Sequence, residues 1–369
     1  MPSPTLAILG TGLIGGSLAL ALRARRAAWH LVGYDRTDVA AEALARGAVH
    51  AVAASPAEAV AGADVVVLAT PPAAALRLLS EIAPHLGPGT LVTDVGSVKR
   101  PVMAHARAVL PAGVRFVGGH PMAGRAQGGI AHANPLLFEN AVWVLCPETA
   151  PDAPEAGAPA LPPLLLALVE AVGARAVVLD AARHDRIAAA VSHLPQLLAV
   201  VLAGLAGDAD PQARTLAAGG FRDMTRIASS PFGLWREIMA ANHGPLLDAL
   251  AAFARRFERL RHAIAAEDWA AAEAAFDAAR ALRETIPERS KGFLHPLAEL
   301  TVRAEDRPGF LAALFAVLAE AGLNVRDVEL LTVREAVEGA FRIGFEDEAA
   351  LARALGVLRA AGYDAVRLA

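Results

Sequence analysis

Short apolar segments alternate with helical segments in the first half of the chain. Segments rich in Val, Leu and Ala predict strands at Thr5–Leu9, His30–Asp35, Asp64–Thr70, Gly89–Asp94, Val114–Gly118, Ala141–Cys146 and Ala174–Leu179. This alternation favours an α/β domain over residues 1–180, a doubly wound parallel sheet of the Rossmann type. A Pro-, Ala- and Glu-rich stretch, Pro147–Pro163, interrupts the pattern and predicts a surface excursion.

Strand signals disappear between residues 181 and 290. Long runs rich in Ala and Leu replace them and predict an all-helical domain. In Ile187–Leu205 the predicted helix is apolar on nearly all sides, which is typical of a buried helix or a subunit interface. We therefore expect a homodimer that forms through this helical domain.

The last part of the chain, residues 297–369, follows a short polar linker at Glu288–Pro296. Its pattern predicts, in order, a strand, a helix, two strands, a helix and a strand. The predicted bounds are Ala298–Arg303, Gly309–Ala321, Val325–Thr332, Gly339–Gly344, Glu348–Ala361 and Ala365–Leu368. This βαββαβ order predicts a small ferredoxin-like domain.

Composition narrows the classes of function. The chain has 369 residues, a net charge of −4 and no basic patch, so we expect no nucleic-acid partner. Although 55% of the residues are hydrophobic, charged residues, Pro and Gly are expected to cut every apolar stretch before about 18 residues, so no membrane span is predicted. The N-terminus does not resemble a signal peptide, and the single cysteine, Cys146, excludes an intramolecular disulfide. These features indicate a soluble cytoplasmic protein, and no metal site is predicted.

A glycine-rich segment follows the first predicted strand and opens a helix. It contains Gly10, Gly12, Leu13, Ile14 and Gly15 in the pattern GxGxxG. In a dinucleotide site the first glycine permits the tight turn, the second lets the backbone approach a pyrophosphate, and the third allows close helix–strand packing. The N-terminus of the helix supplies N–H groups for the phosphates. The alternative is a strand–turn–helix unit whose glycines are only structural.

Asp35 ends the second predicted strand, about 20 residues beyond Gly15. Its carboxylate can accept hydrogen bonds from ribose hydroxyls and would repel a 2′-phosphate. NAD is therefore favoured over NADP as the cofactor, although the adjacent Arg36 can contact a phosphate. Thr70 and Pro71 close the next strand, where the chain either passes over the ribose or nicotinamide of the cofactor or makes a plain turn.

A single histidine stands in the segment Gly118-Gly-His120-Pro-Met-Ala-Gly124. The segment predicts a loop at the carboxyl end of a strand, where open α/β sheets hold their functional groups. A histidine in such a loop can also be incidental. The preceding predicted strand leads to Ser97 and Lys99, and Ser97 is placed to be a helix N-cap, a site residue or both.

Together with three downstream segments, these motifs resemble the prephenate dehydrogenase family of tyrosine biosynthesis. The downstream segments are Ser192–Pro195 (SHLP), Gly219–Ala228 (GGFRDMTRIA) and Leu234–Arg236 (LWR). The resemblance covers about residues 5–290. In the last part of the chain, Asp306–Gly309 and Gly322–Val325 resemble an ACT domain.

The resemblance implies NAD-dependent oxidative decarboxylation of prephenate to 4-hydroxyphenylpyruvate. His120 would accept the proton of the ring hydroxyl, because the ordinary pKa of histidine lies near 6.5, and Ser97 would fix the hydroxyl or the imidazole. Arg226 would bind a substrate carboxylate, and His193 would lie beside the pyruvyl side chain. Trp235 is a further candidate for contact with the substrate.

Each of these residues also has a plainer interpretation. Arg222 and Arg226 are predicted to share one helix face, and either is also explained as a solvated arginine near Asp223. His193 is also explained as a hydrogen-bonded histidine of the core, and Trp235 as core packing.

Two departures from the family pattern leave the substrate open. Residues 125–129 (RAQGG) stand where relatives commonly carry an acidic residue, and Gln196 stands where some relatives carry a second histidine. An acidic neighbour would favour the amino group of arogenate over the keto group of prephenate, so its absence favours prephenate.

Three alternatives to a prephenate dehydrogenase remain. The first is an arogenate or dual-specificity cyclohexadienyl dehydrogenase, and the second is a non-catalytic sensor of amino acids and dinucleotides. The third is a β-hydroxyacid dehydrogenase, which usually needs a lysine in its helical domain. No lysine occurs between Ala181 and Ser290.

The ACT-like segment suggests regulation. The helix N-terminus near Gly309 and the side-chain amide of Asn324 can meet the charged ends of an amino acid. We expect feedback inhibition by tyrosine through this domain. The alternative is a purely structural dimerisation module.

Overall fold

A computed structural model describes residues 3–124, 127–148, 161–210, 212–286, 297–304, 307–331 and 339–368. The chain divides into two compact units, Met1–Arg283 and Glu284–Ala369. Most of the predicted Pro147–Pro163 excursion, the 288–296 linker, Arg125, Ala126, Asp306 and Thr332 lie outside the described residues.

The first unit contains eight strands and thirteen α-helices among its described residues. The strands are β1 Thr5–Leu9, β2 His30–Tyr34, β3 Ala51–Val52, β4 Val65–Leu68, β5 Leu91–Asp94, β6 Arg115–Pro121, β7 Val142–Pro147 and β8 Arg175–Val178. The helices of the α/β part are α1 Leu13–Ala24, α2 Thr37–Ala45, α3 Pro56–Val60, α4 Pro72–Ile82, α5 Arg100–Val109 and α6 Pro163–Ala171. Those of the helical part are α7 Ala181–Ala188, α8 Leu194–Ala209, α9 Ala213–Leu216, α10 Gly219–Thr225, α11 Phe232–Ala241, α12 His243–Ala265 and α13 Trp269–Thr285, the last of which runs two residues past Arg283.

The eight strands form one sheet in the order β3-β2-β1-β4-β5-β6-β7-β8. Because successive side chains of a strand point to opposite faces, Leu6 and Ile8 of β1 enter a core with α1 and α6. Ala7 and Leu9 enter a second core with α3, α4 and α5 on the other face. The strand order reverses between β1 and β4, and this switch point is where open α/β sheets form a binding crevice. The doubly wound α/β prediction is confirmed, and only the two-residue β3 was missed.

The sheet departs from the all-parallel prediction at β7. Strand β6 pairs antiparallel with β7, with His120 opposite Val144, whereas β8 runs parallel to β7. Between β6 and β7 the described residues form only the 3₁₀ turn Ile130–His132. A parallel return needs a crossover connection, usually a helix, so this segment brings the chain back antiparallel. His120 therefore lies within a strand and not in the predicted loop.

The helical part begins with a long apolar run. Helix α7, a π-helical turn at Ala189–His193 and α8 follow one another without a break. By length and composition alone the run Ala181–Asp208 could cross a membrane, with a mean hydropathy of 1.8 over its most apolar window. Pro195 and Gly204 interrupt this run as expected, but α8 continues through both, so the helix reaches a length that the expectation did not allow. The core helix of a soluble protein passes the same test, although such a helix is mostly buried and only 28% of this window is buried.

The second unit is the predicted βαββαβ fold. Its elements are β9 Ala298–Ala304, α14 Phe310–Glu320, β10 Asp327–Leu331, β11 Gly339–Phe345, α15 Glu348–Ala360 and β12 Ala365–Arg367. All pairings are antiparallel, in the order β10-β11-β9-β12. Leu300 and Val302 of β9 pack with Leu314 of α14 and Leu351 of α15 in its core.

A buried ion pair joins the ends of β5 and β6. Lys99 is fully buried, and its ammonium contacts the Asp94 carboxylate and donates to the Gly119 carbonyl. The Asp94 carboxylate also accepts the backbone N–H groups of Gly119 at 3.0 Å and Gly96 at 2.9 Å. A Cβ added to Gly119 would lie 2.3 Å from the Asp94 carbonyl oxygen, so only glycine permits this approach. The glycines before His120 thus serve strand packing and not a loop.

Replacing Lys99 tests this ion pair. The Lys99→Met variant leaves the Asp94 carboxylate buried without its cation, so the free energy of unfolding of the first unit should fall by about 3–5 kcal/mol. Urea denaturation at neutral pH measures the change. The control is Arg46→Met, which breaks the exposed Arg46–Glu42 pair on α2 and should cost less than about 1 kcal/mol. Equal losses in the two variants would contradict the assignment.

Candidate active site

The glycine-rich turn lies between β1 and α1 at the switch point of the sheet. Gly10 has φ +103°, and a Cβ there would lie 2.5 Å from the Ala69 carbonyl oxygen. A Cβ on Gly15 would lie 1.9 Å from the Gly10 carbonyl oxygen, whereas Gly12 faces open space. Two glycines are therefore required by the fold, and the third leaves room for a ligand to approach the backbone.

The residues around this turn fit a dinucleotide. No side chain caps α1 at Gly12, so the N–H groups of its first turn, from Leu13 to Gly15, lack the partners that an N-cap would provide. The hydroxyls of Thr11 and Thr70 are buried and unpartnered among the described residues. Unsatisfied donors at a helix N-terminus are the groups that bind a pyrophosphate.

Asp35 lies directly after β2, and its carboxylate reaches the glycine-rich turn. Oδ2 accepts the Thr11 N–H at 2.7 Å, and Oδ1 accepts the Arg36 N–H at 2.7 Å. The Arg36 guanidinium lies on the surface, 3.5 Å from the Asp38 carboxylate. The negative charge of Asp35 is thus held beside the glycine-rich turn, whereas the Arg36 guanidinium is directed to Asp38.

Thr70 and Pro71 follow β4, one residue beyond its end, and Pro71 precedes α4. The Ala73 N–H in the first turn of α4 donates to Glu237 of α11 at 3.0 Å. Helix α11 also carries Trp235. The α/β part and the helical part of the first unit therefore meet next to the predicted cofactor edge.

His120 is buried at the end of β6 and hydrogen-bonded to a second histidine. Its Nδ1 lies 2.8 Å from Nε2 of His184, and Nδ1 of His184 lies 2.8 Å from Oδ1 of Asp185. The hydrogen bond at Nδ1 is the only one that the His120 ring makes to the described residues, so Nε2 has no partner among them. Burial lowers the pKa of His120 well below its usual value, and the nearby Lys99 ammonium acts in the same direction. The ring is therefore neutral at neutral pH.

His193 ends the π-helical turn and is also neutral. Burial lowers its pKa to about 4. The Asn242 amide nitrogen donates to Nδ1 of His193 at 3.1 Å and to the Asp185 carbonyl at 2.8 Å, so the ring proton lies on Nε2. Nε2 is buried and unpartnered among the described residues, so the ring keeps one donor that no hydrogen bond uses. Trp235 meets this ring edge-on, with centroids 6.0 Å apart.

Arg226 begins the 3₁₀ turn Arg226–Ser229 and is exposed. Arg222 lies on α10, which ends at Thr225, so the two arginines lie on successive elements and not on one α-helix, as the sequence had predicted. The 3₁₀ turn breaks the helical spacing that the prediction assumed. The Gln196 side chain donates to the Ile227 carbonyl at 2.9 Å and so holds this turn against α8, three residues from His193.

Ser97 is half-buried between β5 and α5 and is not the N-cap of α5. Lys99 occupies the cap position, and the cap hydrogen bonds come from elsewhere in the chain. The Asp185 carboxylate accepts the N–H groups of Lys99 at 2.7 Å and Arg100 at 2.9 Å. The Ser97 hydroxyl therefore does not cap the N-terminus of α5.

The structure thus brings His120, His193 and Trp235 together through residues that the sequence interpretation missed. His184, Asp185 and Asn242 were not singled out. The available signal was that His184 and Asp185 are polar residues directly before a long apolar run, and that Asn242 lies between two predicted helical segments. Nothing in sequence spacing shows that they are buried and face β6.

In the second unit, Gly309 is the left-handed residue before α14, with φ +83°, and no side chain caps this helix. Asn324 is exposed between α14 and β10. The predicted effector residues therefore lie at opposite ends of α14.

Three parts of the chain match known families. Residues 18–178 match the family described as prephenate dehydrogenase, nucleotide-binding domain, residues 180–277 match its dimerization domain, and residues 298–363 match the ACT domain. A curated prephenate dehydrogenase from Bacillus subtilis strain 168 is 34% identical over 350 residues, which covers 93% of this chain and 92% of that protein.

Two solved structures are also similar. Synechocystis arogenate dehydrogenase has 30% identity and a TM-score of 0.64, covering 76% of this chain and 99% of that one. Prephenate dehydrogenase from A. aeolicus, solved in complex with hydroxyphenyl propionate and NAD+, has 26% identity and a TM-score of 0.68, covering 77% of this chain and 99% of that one.

The fold and these matches define an oxidoreductase with a nucleotide-binding domain, a helical dimerisation domain and an ACT domain. The chain belongs to the prephenate dehydrogenase family.

Proposed function

We propose that this protein is an NAD-dependent prephenate dehydrogenase that converts prephenate to 4-hydroxyphenylpyruvate and CO2. The observation that carries the proposal is the buried, neutral His120, whose Nε2 has no partner among the described residues. It belongs to the same compact unit as the glycine-rich turn and the unpartnered Nε2–H of His193. The relatives from Bacillus subtilis and A. aeolicus support the same reaction.

The chain's residues divide the work between cofactor and substrate. Gly10, Gly12 and the first turn of α1 bind the pyrophosphate, and Asp35 faces the ribose. Bound NAD+ accepts a hydride from the ring carbon that carries the hydroxyl. NAD is preferred to NADP, because a 2′-phosphate would meet the Asp35 carboxylate while the Arg36 guanidinium faces Asp38.

His120 accepts the proton of the ring hydroxyl as the hydride departs. A neutral imidazole can act as this base at neutral pH. Ser97 lies on the loop after β5, and β5 is the sheet neighbour of β6, which carries His120. Ser97 orients the ring hydroxyl of the substrate. Loss of CO2 is then favoured by aromatisation of the ring and needs little further acid catalysis.

Arg226 and His193 bind the substrate's polar ends. The Arg226 guanidinium is exposed, makes no hydrogen bond or ion pair with the described residues, and pairs with a carboxylate of the substrate. The Nε2–H of His193 donates to an oxygen of the pyruvyl group, beside Trp235. The similarity to Synechocystis arogenate dehydrogenase makes arogenate the second candidate substrate.

The first test replaces His120. In His120→Asn the base is lost while the glycine-rich turn is unchanged, so kcat should fall by about 10²–10⁴ with NAD+ affinity nearly kept. NADH production with prephenate, and with arogenate as the second substrate, measures the effect. Near-normal turnover of the variant would refute the assigned role, and faster turnover of arogenate would reverse the substrate assignment.

The pH dependence of the activity of the unmodified enzyme also tests the assignment of His120 as the base. Because burial lowers the pKa of His120, its lone pair persists on acidification below the usual value of 6.5. Activity that depends on neutral His120 should therefore be lost only as the pH falls through that lowered pKa.

The second test replaces Arg226. Arg226→Ala removes a charged hydrogen-bond partner, so KM for prephenate should rise by about 10- to 100-fold with a smaller change in kcat. Arg222→Ala is the matched control, because this arginine is also exposed and lies four residues earlier. Equal effects of the two substitutions in steady-state kinetics would rule out a specific role for Arg226.

We also propose that the protein is a cytoplasmic homodimer regulated by tyrosine, with residues 1–180, 181–290 and 297–369 as its functional parts. Val191, Val200, Val201 and Leu205 are exposed apolar residues of the α7–α8 run, and dimerisation through this face would bury them. The matched dimerization domain supports the same surface. The ACT domain is the proposed site of tyrosine, near Gly309 or Asn324.

The third test addresses regulation. Asn324→Ala removes an exposed amide proposed to bind tyrosine, so the concentration of tyrosine that halves the rate should rise while kcat without tyrosine stays the same. Phenylalanine serves as the control amino acid. If tyrosine inhibits the variant and the unmodified enzyme alike, the amide has no part in effector binding.

A further inference from the structure

His184 and Asp185 form a buried pair behind His120 and have no assigned role in the proposed reaction. The side chain of His184 is 3% exposed and that of Asp185 is 0% exposed. They begin the helical part of the first unit, on α7, whereas His120 lies on β6 of the sheet. The hydrogen bonds between them therefore connect the two parts of the unit.

The Asp185 carboxylate is fixed from several sides. Its two oxygens accept the backbone N–H groups of Lys99 and Arg100, at the start of the ten-residue helix α5. Both oxygens are thus acceptors, and Oδ1 also faces Nδ1 of His184 at 2.8 Å. The Asn242 amide holds the Asp185 carbonyl at 2.8 Å. A carboxylate anchored this way accepts the Nδ1–H of His184.

The direction of the next hydrogen bond follows from that one. With its proton on Nδ1, a neutral His184 presents Nε2 as an acceptor, and this atom lies 2.8 Å from Nδ1 of His120. The His120 ring must then carry its proton on Nδ1. The opposite arrangement needs a protonated His184, which adds a charge to this buried site. The arrangement with fewest buried charges leaves the lone pair of His120 on Nε2.

We propose that His184 and Asp185 are positioning residues that hold His120 in the Nδ1–H tautomer, so that Nε2 is the atom that receives the substrate proton. The inference rests on the proposed function of His120. In the step, the O–H bond of the substrate breaks, an N–H bond forms at Nε2, and the hydride leaves to NAD+. The resulting imidazolium donates Nδ1–H to His184, whose own proton is held by Asp185. Asp185 thus stabilises the positive charge without touching the substrate.

The experiment compares two substitutions of His184 in the full-length protein. His184→Phe keeps a ring of similar size but removes both hydrogen bonds, so His120 is free to adopt the other tautomer. We expect kcat to fall at least about 100-fold with little change in KM or NAD+ affinity. His184→Gln restores an acceptor oxygen opposite Nδ1 and should recover about tenfold of the loss. His85→Phe, at an exposed histidine of the 3₁₀ turn Ala83–His85, is the control with unchanged activity.

Nitrogen-15 NMR of the histidine rings reports the tautomer without any turnover. The His120 signals are assigned by their absence from His120→Asn. We expect a protonated Nδ1 and an unprotonated Nε2 in the unmodified protein, and loss of this preference in His184→Phe. A protonated Nε2 in the unmodified protein, or an unchanged tautomer in His184→Phe, would overturn the inference.

The two proposals fail separately. If His120→Asn remains active, the role of His120 as base is wrong, whatever its tautomer. If His120→Asn is inactive but His184→Phe keeps its turnover, only the positioning role is wrong. Thermal melting of each variant detects a folding defect. The pH profile of kcat across neutral and alkaline pH shows whether the maximal kcat is lowered, as loss of the positioning role predicts. The groups that bear on that profile are Lys99, His184 and His193 around His120, with Asp185 beyond them.

Discussion

The buried ion pair between Lys99 and Asp94 is the constraint on which the site depends. Burying a charge is costly unless it is paired and hydrogen-bonded, and here the carboxylate, the ammonium and the backbone of Gly119 satisfy one another. This cluster fixes the end of β6 next to β5, so it fixes the strand that carries His120. The same ammonium favours the neutral state of that histidine. One interaction therefore sets where the proposed base stands and adds to the burial that lowers its pKa.

Asp185 extends this constraint into the helical part of the unit. It caps α5, holds His184 and, through its carbonyl, holds the Asn242 amide that binds His193. Asp185 thereby helps to orient two neutral histidines from different secondary elements, His120 through its carboxylate and His184, and His193 through its backbone carbonyl and Asn242. Each presents an Nε2 atom without a partner among the described residues, one as an acceptor and one as a donor. A substrate that loses a hydroxyl proton and is bound through one of its oxygen atoms requires one acceptor and one donor of this kind.

The cofactor-binding part of the site could largely be predicted from the sequence, because the residues that form it lie in short, local segments. A GxGxxG turn needs its glycines within six residues, and the backbone conformation at Gly10 and the close approach at Gly15 follow from that short segment. Asp35 stands at the expected spacing, and its contact with the Thr11 N–H, which the sequence did not indicate, places its carboxylate beside the glycine-rich turn. The substrate side was less readable. Arg226 was placed on the wrong element, because helical spacing was extended through a segment that turns into a 3₁₀ helix.

The sequence by itself determined the α/β, helical and βαββαβ succession, the dinucleotide turn and the family, since each is written in local periodicity or in contiguous motifs. Only the tertiary structure decided the antiparallel return at β7, the placement of His120 within a strand, and the His120–His184–Asp185 chain. The physical reason is distance along the chain. His120 and His184 are 64 residues apart, and their contact depends on burial and on a charge pair that periodicity does not encode.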